Sequence, residues 1–239
     1  MSAAEEQPHA RPGDAMALRA QNLVVGYGNV GYVQDFSLDV RRGEIIALLG
    51  ANGAGKTTTL LGIAGVLKPL AGTVELNGQL MTAPTYSRAR NGLAFITQEK
   101  CVFMDLSLRD NLRVGGCDPD GALEIFPELR PHLKRTVGLL SGGQQQMLAV
   151  ARAIARRPSV LLADELSLGL APQVVDRILA ALSDASRRDN LAVVMVEQQV
   201  DKALELADRC VVLRRGKIEL TGPAQAMRSR MKEIRDLYL

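Results

Sequence analysis

The glycine-rich segment GANGAGKTT, residues 50–58, constrains the fold of this chain more than any other stretch of its sequence. It fits the pattern G-x-x-x-x-G-K-[ST], follows the apolar run EIIALLG and precedes a helix that we predict to begin at Gly55. The glycines let successive backbone N–H groups face a phosphate, and the helix N-terminus adds a partial positive charge. Lys56 would reach the β- and γ-phosphates, and Thr57 would offer its hydroxyl to Mg²⁺. The segment therefore predicts that the chain binds a nucleoside triphosphate, through Gly50, Asn52, Gly53, Ala54, Gly55, Lys56, Thr57 and Thr58.

Strand-like and helical patterns alternate along the rest of the chain. NLVVGY and YVQDFSLDV are typical of an antiparallel layer, because the second alternates polar and apolar residues. Continuous apolar runs such as EIIALLG are typical of strands covered on both faces. The alternation predicts an α/β fold with a mainly parallel core sheet, an antiparallel β layer and a helical region. Further predicted strands are GTVELNG, GLAFITQ, SVLLADE, LAVVMVE and RCVVLRRGKIEL; predicted helices run from Gly55 to about Lys68, over much of 100–157, over 172–188 and 199–207, and at the C-terminus.

The hexapeptide GYGNVG, residues 26–31, matches the dinucleotide-binding pattern G-x-G-x-x-G directly after a predicted strand. A dinucleotide site needs a helix immediately afterwards, whose N-terminus holds the pyrophosphate. The residues that follow, YVQDFSLDV, have the period of a strand instead. We therefore predict a turn between two strands at this position.

The composition excludes several classes of protein. The 29 basic and 26 acidic residues nearly balance and are dispersed, so we expect no nucleic-acid partner. Cys101, Cys117 and Cys210 form no CxxC pair, which indicates a reduced cytosolic protein without a zinc site. The polar N-terminus predicts a disordered tail over residues 1–16 and one globular domain over 17–239. No apolar run approaches the roughly 20 residues of a membrane helix.

A pair of acids ends the predicted strand VLLADE, residues 160–165. Asp164 would hold the Mg²⁺ shell, generally through water, and Glu165 would polarise a water molecule for attack on the γ-phosphate. The alternative is that the two acids cap the segment that follows them. Their combination with the Lys56 loop favours the catalytic interpretation.

The segment LLSGGQQQMLAVARAIARRP, residues 139–158, predicts a helix that is capped by Ser141 and runs to Pro158. Ser141 is a good N-cap residue, and Gly142 and Gly143 expose backbone N–H groups. These features make a second phosphate cradle, which would serve a nucleotide bound to another subunit because the first cradle already holds one. On spacing alone, a plain capped helix remains the alternative.

The motif LSGGQ is the signature of ATP-binding cassette (ABC) ATPases, a family that this chain resembles. The order of the Lys56 loop, Gln98, LSGGQ and ADE is similar to that family over essentially the whole chain after residue 16. The resemblance implies an ATPase with ATP and Mg²⁺ as cofactors. It implies that Gln98 contacts Mg²⁺ and the attacking water, and that Tyr27 stacks on adenine, unless Tyr27 is an ordinary turn tyrosine. It also implies a helical subdomain at about 99–157 that docks on a permease.

The same resemblance implies a head-to-tail dimer with two ATP molecules between its subunits. Each ATP would lie between the Lys56 loop of one subunit and the signature of the other. The signature residues that would contact the partner's ATP are Ser141, Gly142, Gly143 and Gln144.

The stretches GANGAGKTTTL, LSGGQQQMLAVARAI and SLGLAP closely resemble the ATPase subunits of branched-chain amino acid importers. That resemblance implies a second ATPase subunit, with a heterodimer favoured over a homodimer, two transmembrane permeases and, indirectly, a periplasmic solute-binding protein. It places the chain on the inner face of the bacterial plasma membrane, with branched-chain amino acids, urea or short amides as cargo. The alternatives are a catalytically weak regulatory half of a heterodimer and a non-transport ABC ATPase.

Several positions depart from the family pattern. Leu166 stands where a proline usually follows the glutamate, which we expect to loosen the turn that carries Glu165. Leu170 occupies the usual aspartate position of the loop that follows. The stretch between Gln98 and Ser141 is several residues short for the subgroup.

The family usually has a histidine just after the last core strand, in contact with the γ-phosphate. The two histidines here, His9 in the tail and His132 before the signature, cannot serve. Gln198 in VVMVEQQV, residues 193–200, falls at that position, as is common in the branched-chain subgroup. Our hypothesis is that Gln198 donates a hydrogen bond to the γ-phosphate but cannot become cationic, which would make this chain's own ATP site the slower of two. The predicted catalytic residues are Lys56, Gln98, Glu165 and Gln198.

Overall fold

The computed structural model of the chain describes residues 15–99 and 101–238, so most of the predicted tail and His9 lie outside the described residues. This part of the chain forms an α/β fold, as predicted. The strands are β1 (Met16–Tyr27), β2 (Val30–Arg41), β3 (Ile45–Leu49), β4 (Ala71–Leu76), β5 (Gln79–Leu80), β6 (Leu93–Ile96), β7 (Val160–Asp164), β8 (Ala192–Val196), β9 (Arg209–Arg214) and β10 (Lys217–Pro223). The helices are α1 (Lys56–Ala64), α2 (Thr85–Arg90), α3 (Leu108–Val114), α4 (Pro119–Ile125), α5 (Gly142–Ile154), α6 (Pro172–Asp189), α7 (Val200–Leu206), α8 (Ala224–Arg228) and α9 (Met231–Asp236).

The core sheet has six strands in the order β10-β9-β3-β8-β7-β6, and every neighbouring pair except β10–β9 is parallel. Strands β3, β7 and β8 are buried along their whole length, as expected for apolar strands covered on both faces. The register places Val196 beside both Leu48 and Asp164. The carboxyl ends of β3, β7 and β8 therefore meet at one edge of the sheet, where open α/β sheets commonly bind ligands.

The second sheet is antiparallel, with the order β2-β1-β4-β5. Gly26 pairs with Gly31 and Tyr27 pairs with Val30 at the end of the β1–β2 hairpin. The GYGNVG segment is therefore a turn between two strands, as its following period-two pattern predicted.

The segment RCVVLRRGKIEL, which we predicted as one strand, forms the hairpin β9–β10 instead. Lys217 pairs with Arg214 across a turn made of Arg215 and Gly216. Both turn residues have a positive φ, 50° and 79°. This conformation suits the right-handed twist of a two-residue hairpin, and Gly216 adopts it without a steric cost.

The helical regions are shorter and more divided than predicted. Helix α1 ends at Ala64 instead of near Lys68, because the left-handed Gly65 (φ 71°) caps it. Helix α5 ends at Ile154, four residues before Pro158. Helices α4 and α5 are separated by two 3₁₀ segments, Pro127–His132 and Val137–Leu139, and the C-terminal helix is divided into α8 and α9.

Two hydrophobic clusters lie on opposite faces of the core sheet. Ala47 and Leu49 of β3 join the cluster formed with helices α3 to α6, whereas Ile46 and Leu48 join the cluster formed with α1 and the antiparallel sheet. Strand β3 is therefore fixed on both faces, and so is the loop that follows it. No helix among the described residues is both long and apolar enough to cross a membrane.

Arg88 on α2 is a buried cation that joins α2 to the end of α1. It is 3% exposed and donates hydrogen bonds to the carbonyl groups of Gly62, Ile63, Met81 and Ala83. We expect Arg88→Ala to lower the free energy of unfolding by about 3 kcal/mol, since these buried acceptors lose their donor.

Urea titration of Arg88→Ala beside Arg90→Ala measures this effect. Arg90 is exposed on the same helix, so its replacement should change the free energy of unfolding by less than about 1 kcal/mol. Equal losses in the two variants would show that the buried hydrogen bonds of Arg88 do not hold α2 against α1.

Candidate functional site

The glycine-rich loop lies between β3 and α1 at the carboxyl edge of the core sheet. Its glycines Gly50, Gly53 and Gly55 have positive φ values of 147°, 80° and 102°. A Cβ atom at Gly50 would also collide with the backbone carbonyl group of Leu213. The loop conformation therefore requires glycine, as the sequence pattern predicted.

Two contacts from distant parts of the chain hold this loop in place. The Gly216 N–H of the β9–β10 turn donates to the Ala54 carbonyl group at 2.9 Å. The Gly50 N–H donates to the Tyr238 hydroxyl group at 3.1 Å. Sequence reasoning missed Tyr238, because it lies 188 residues beyond Gly50, in a turn after α9 that carries no motif.

Lys56 is a buried cation at the start of α1. It is 6% exposed, and its Nζ donates to the carbonyl groups of Gly50 at 2.8 Å and Ala51 at 3.0 Å. Burial lowers the pKa of Lys56, and the nearby carboxylates of Glu165 and Asp164 oppose that shift. Among the described residues, no side chain caps α1, so its first N–H groups can bind an anion beside the Lys56 ammonium group.

The other loop residues predicted to contact nucleotide differ in exposure. Ala54 is buried, and Thr58 is half-buried. Asn52, Gly53 and Thr57 are exposed, so they form the solvent-facing part of the loop.

Asp164 is a buried acid with one free oxygen, at the end of β7. It is 2% exposed, and its Oδ1 atom forms no hydrogen bond with any described residue. Burial raises the pKa of Asp164, and the Thr57 hydroxyl group opposes that rise. A carboxylate oxygen with no partner beside a threonine hydroxyl group is an arrangement that Mg²⁺ prefers, completed by water and phosphate oxygens. The residues present therefore fit a magnesium ion.

Glu165 leaves β7 in a left-handed conformation with φ 50°. Its N–H donates to the Val196 carbonyl group at 2.9 Å, and its Oε2 accepts a hydrogen bond from Gln198 Nε2 at 2.8 Å. The next helix, α6, begins at Pro172, seven residues after Glu165, with Ala171 as its N-cap, and no described side chain caps it. The two acids therefore do not cap α6, the first helix of the segment that follows them.

The residues after β8 divide into one buried acid and two exposed amides. Glu197 is 3% exposed and accepts a hydrogen bond from the Ser167 hydroxyl group. Gln198 is exposed and contacts Glu165, and Gln199 is the N-cap of α7. The structure thus brings Gln198 into hydrogen-bonding contact with Glu165, the predicted catalytic acid, whose carboxylate lies near Lys56.

The signature residues form a capping box at the start of α5. The Ser141 Oγ accepts from the Gln144 N–H at 3.2 Å, and the Gln144 Oε1 accepts from the Ser141 N–H at 3.0 Å. Ser141 and Gly142 are exposed, whereas Gly143 is half-buried and a Cβ there would press against Val174. The predicted cap is confirmed, and the N-terminus of α5 faces solvent.

His132 contacts this capping box, which sequence reasoning did not foresee. Its Nε2 lies 2.9 Å from the Nε2 of Gln144. Because Gln144 Oε1 is already used by Ser141, Gln144 donates its amide proton and His132 accepts it. His132 thus fixes the side chain of the signature glutamine, a contact within the predicted helical region that no spacing pattern reveals.

Tyr27 ends β1 of the antiparallel sheet, whereas Gln98 follows β6 of the core sheet. Tyr27, 54% exposed, packs edge-to-face against Tyr32 with ring centroids 5.8 Å apart, on the hairpin next to the glycine-rich loop. Gln98 is exposed just beyond β6, whose Ile96 pairs with Ala163 of β7. Gln98 forms no hydrogen bond with the residues that the structure describes, Asp164 and Thr57 included.

A family profile described as ABC transporter matches residues 33–167. The chain is 37% identical to the high-affinity branched-chain amino acid transport ATP-binding protein BraG of Pseudomonas aeruginosa over 89% of this chain and 95% of that protein. It is 35% identical to a probable branched-chain amino acid transport ATP-binding protein, LivF, of Archaeoglobus fulgidus over 88% and 93%. Its fold matches the ADP conformation of an ATP-binding cassette of an ABC transporter, with a TM-score of 0.81 at 23% identity over 92% and 98%.

Proposed function

Because the chain belongs to the ABC transporter family and is its ATP-hydrolysing type of subunit, we propose that it powers the import of branched-chain amino acids or related small polar solutes, such as urea and amides. The observation that supports this cargo most is the similarity to two branched-chain amino acid transport proteins, which extends over almost nine-tenths of the chain. The proposed cargo therefore rests on similarity over most of the chain and not on the nucleotide-binding motifs alone.

The nucleotide site is proposed to use the residues at the carboxyl edge of the core sheet. The loop N–H groups and Lys56 would hold the phosphates, and Tyr27 would stack on the adenine ring. Thr57 and Asp164, with Gln98, would hold Mg²⁺, which neutralises charge on the β- and γ-phosphates when it is bound. Glu165 would orient the attacking water and accept its proton. Phosphoryl transfer needs mainly positioning and charge stabilisation, so no covalent intermediate is expected.

A second ATPase subunit is proposed to complete each ATP site. The exposed N-terminus of α5, with Ser141 and Gly142, faces solvent and would contact ATP on the partner. A heterodimer is favoured over a homodimer, because the resembling importers use two different ATPases. Gln144 would also contact the partner's ATP, and its side chain is already fixed by hydrogen bonds with Ser141 and His132.

The helical subdomain at about 99–157 is proposed to dock on a permease, one of two in the complete transporter, at the inner face of the plasma membrane, with a solute-binding protein outside. A cavity of about 860 Å³ between β6 and α5 supports this docking. Arg90, Arg152, Arg156 and Phe103 line it, which suits a segment of another protein.

Transport measurements test the cargo directly. The complete transporter, reconstituted in proteoliposomes with ATP inside, should accumulate radiolabelled leucine, and unlabelled isoleucine and valine should compete with it. Urea and acetamide serve as the alternative solutes, and Glu165→Gln in this subunit serves as the inactive control. Uptake of urea or acetamide without uptake of leucine would contradict the proposed cargo.

A catalytically weak subunit is the second candidate, and Gln198 favours it. Gln198 offers a neutral amide to Glu165 at 2.8 Å, whereas a histidine at this position could become cationic. A full loss of a preorganised donor typically costs about 10²–10³ in rate, and a substitute donor costs less. We therefore expect Gln198→His to raise turnover at this chain's own site several-fold.

Site-specific turnover of Gln198→His is measured with the other ATP site inactivated, beside Gln199→His. Gln199 is the exposed residue next to Gln198 and is the N-cap of α7. Gln199→His therefore makes the same substitution at a position that does not contact Glu165. Unchanged turnover in both variants would count against the slow-site hypothesis.

A further inference from the structure

Two loops at the carboxyl edge of the core sheet are joined by buried polar side chains. Ser167, two residues after Glu165, donates its hydroxyl proton to Oε2 of Glu197. Ser167 is 7% exposed and Glu197 is 3% exposed. Ser167 begins the stretch SLGLAP and Glu197 lies in VVMVEQQV, but the proposed nucleotide site assigns no role to either side chain.

The Glu197 carboxyl group is costly to bury, which suggests a specific role. Its second oxygen, Oε1, forms no hydrogen bond with any residue in the described ranges. Burial raises the pKa of Glu197, and the nearby Glu165 carboxylate adds to that rise. The Ser167 hydroxyl group opposes it, and so do the backbone N–H groups of Ser167 and Gln198. A buried carboxyl group with one free oxygen destabilises the fold unless its remaining contact compensates.

The turn that contains Ser167 begins with an unusual backbone conformation. Glu165 has a positive φ of 50°, which is uncommon for a residue with a side chain. Leu166 follows it, where a proline would restrict the backbone through its ring. Leu166 is 2% exposed in the core, so the turn is anchored there by packing, and on its other side by the Ser167–Glu197 hydrogen bond.

We propose that Ser167 and Glu197 are a positioning pair, which fixes the turn carrying Glu165 in place of the missing proline. Neither side chain forms a hydrogen bond with the described residues of the nucleotide loop; they act through the backbone between Glu165 and Ser167. The N–H of Glu165 donates to Val196, directly before Glu197, so the two loops are joined on both sides of the catalytic acid. The inference rests on the proposed role of Glu165 in hydrolysis.

A matched pair of serine variants tests this proposal. Ser186 is also buried, at 2% exposure, and its hydroxyl group donates to the Gly43 carbonyl group at 2.9 Å, far along the chain from Glu165. Ser167→Ala and Ser186→Ala each remove one buried hydroxyl group, so both should lose a similar amount of stability. Only Ser167→Ala should lower kcat, by about tenfold, with the KM for ATP unchanged, because a misplaced catalytic group slows chemistry more than binding.

Variants of the acceptor complete the experiment. Glu197→Gln keeps an oxygen that accepts from Ser167, so it should retain most of the kcat. Glu197→Leu removes the acceptor, so its kcat should be as low as that of Ser167→Ala. The double variant Ser167→Ala/Glu197→Leu should be no slower than either single variant, because both remove one shared contact. Ser167→Thr keeps the hydroxyl group and provides a folded reference if the alanine variant does not fold.

A kcat for Ser167→Ala within twofold of that for Ser186→Ala would overturn the proposal. So would a rise in KM at unchanged kcat, or additive losses in the double variant. Glu165→Gln is measured in the same series. If Glu165→Gln hydrolyses ATP at the normal rate, the proposed function of Glu165 fails, whereas a slow Glu165→Gln with a normal Ser167→Ala refutes the positioning pair alone.

Discussion

Replacing Glu165 with glutamine is expected to leave ATP binding almost intact and to lower kcat by about 10²–10³. The change removes the group proposed to accept the proton of the attacking water, and it leaves Lys56 and the loop N–H groups in place. The amide is similar in shape to the carboxylate, so the turn and its bond to the Val196 carbonyl group should persist. ATP affinity by equilibrium dialysis and steady-state phosphate release measure the two effects separately.

Glu205→Gln is the matched control for this variant. Glu205 is exposed on α7, away from the carboxyl edge of the sheet, and the same substitution there should alter neither quantity. Normal phosphate release by Glu165→Gln would remove Glu165 from the proposed reaction.

Replacing Lys56 with alanine is expected to weaken ATP binding by more than about a hundredfold, the effect of losing a desolvated charge partner for the phosphates. Lys56 is 6% exposed and bonds only to the carbonyl groups of Gly50 and Ala51 among the described residues, so its charge is available to an anion in the loop. The nearby carboxylates of Asp164 and Glu165 would also lose their cation and repel the triphosphate.

The titration of Lys56→Ala with ATP is compared with that of Lys68→Ala. Lys68 is exposed beyond the end of α1, and its loss should change the affinity by less than about twofold because exposed charges are screened by water and salt. Similar affinities in the two variants would show that a general positive charge, and not the buried Lys56, attracts the nucleotide.

The parts of the site that the sequence predicts are those made by neighbouring residues. The apolar runs of β3, β7 and β8 fix three parallel strands, and the residues that follow them must then meet at one edge. The glycines of the loop and the capping box of Ser141 and Gln144 also depend on local backbone geometry. Short-range patterns are sufficient for such features.

The contacts that the sequence does not predict join residues that are far apart along the chain. Tyr238 reaches Gly50, and Ser167 reaches Glu197 across 30 residues. Leu166 was expected to loosen the turn beside Glu165, yet it packs in the core, and the Ser167–Glu197 bond holds the turn. Whether such side chains meet depends on the complete packing of the core, which no periodicity describes.

Helix boundaries are the other part that the sequence predicts poorly. The apolar pattern after the Lys56 loop continues to Lys68, but the left-handed Gly65 ends α1 at Ala64. In RCVVLRRGKIEL, strand-like residues stand on both sides of Arg215 and Gly216, so the sequence pattern does not reveal the hairpin turn between them. A positive φ decides both cases, at Gly65 in the first and at Arg215 and Gly216 in the second, and composition alone does not reveal such a conformation.

Each ATP site is proposed to be completed by the signature of a second subunit, and a mixture of two inactive variants tests this arrangement. Lys56→Ala disables the loop of one chain, and Ser141→Arg blocks the exposed signature of another. When each ATP lies between two chains, a dimer of the two variants has one intact site. The reference is the wild-type chain without the second ATPase of the favoured heterodimer, at a concentration where it pairs with itself and hydrolyses ATP. Mixed in equal amounts under the same conditions, the two variants should recover about a quarter of the wild-type rate, because half of the dimers are mixed and each mixed dimer has one intact site of two. No recovery, with both variants folded, would show that loop and signature act within one chain and would contradict the account.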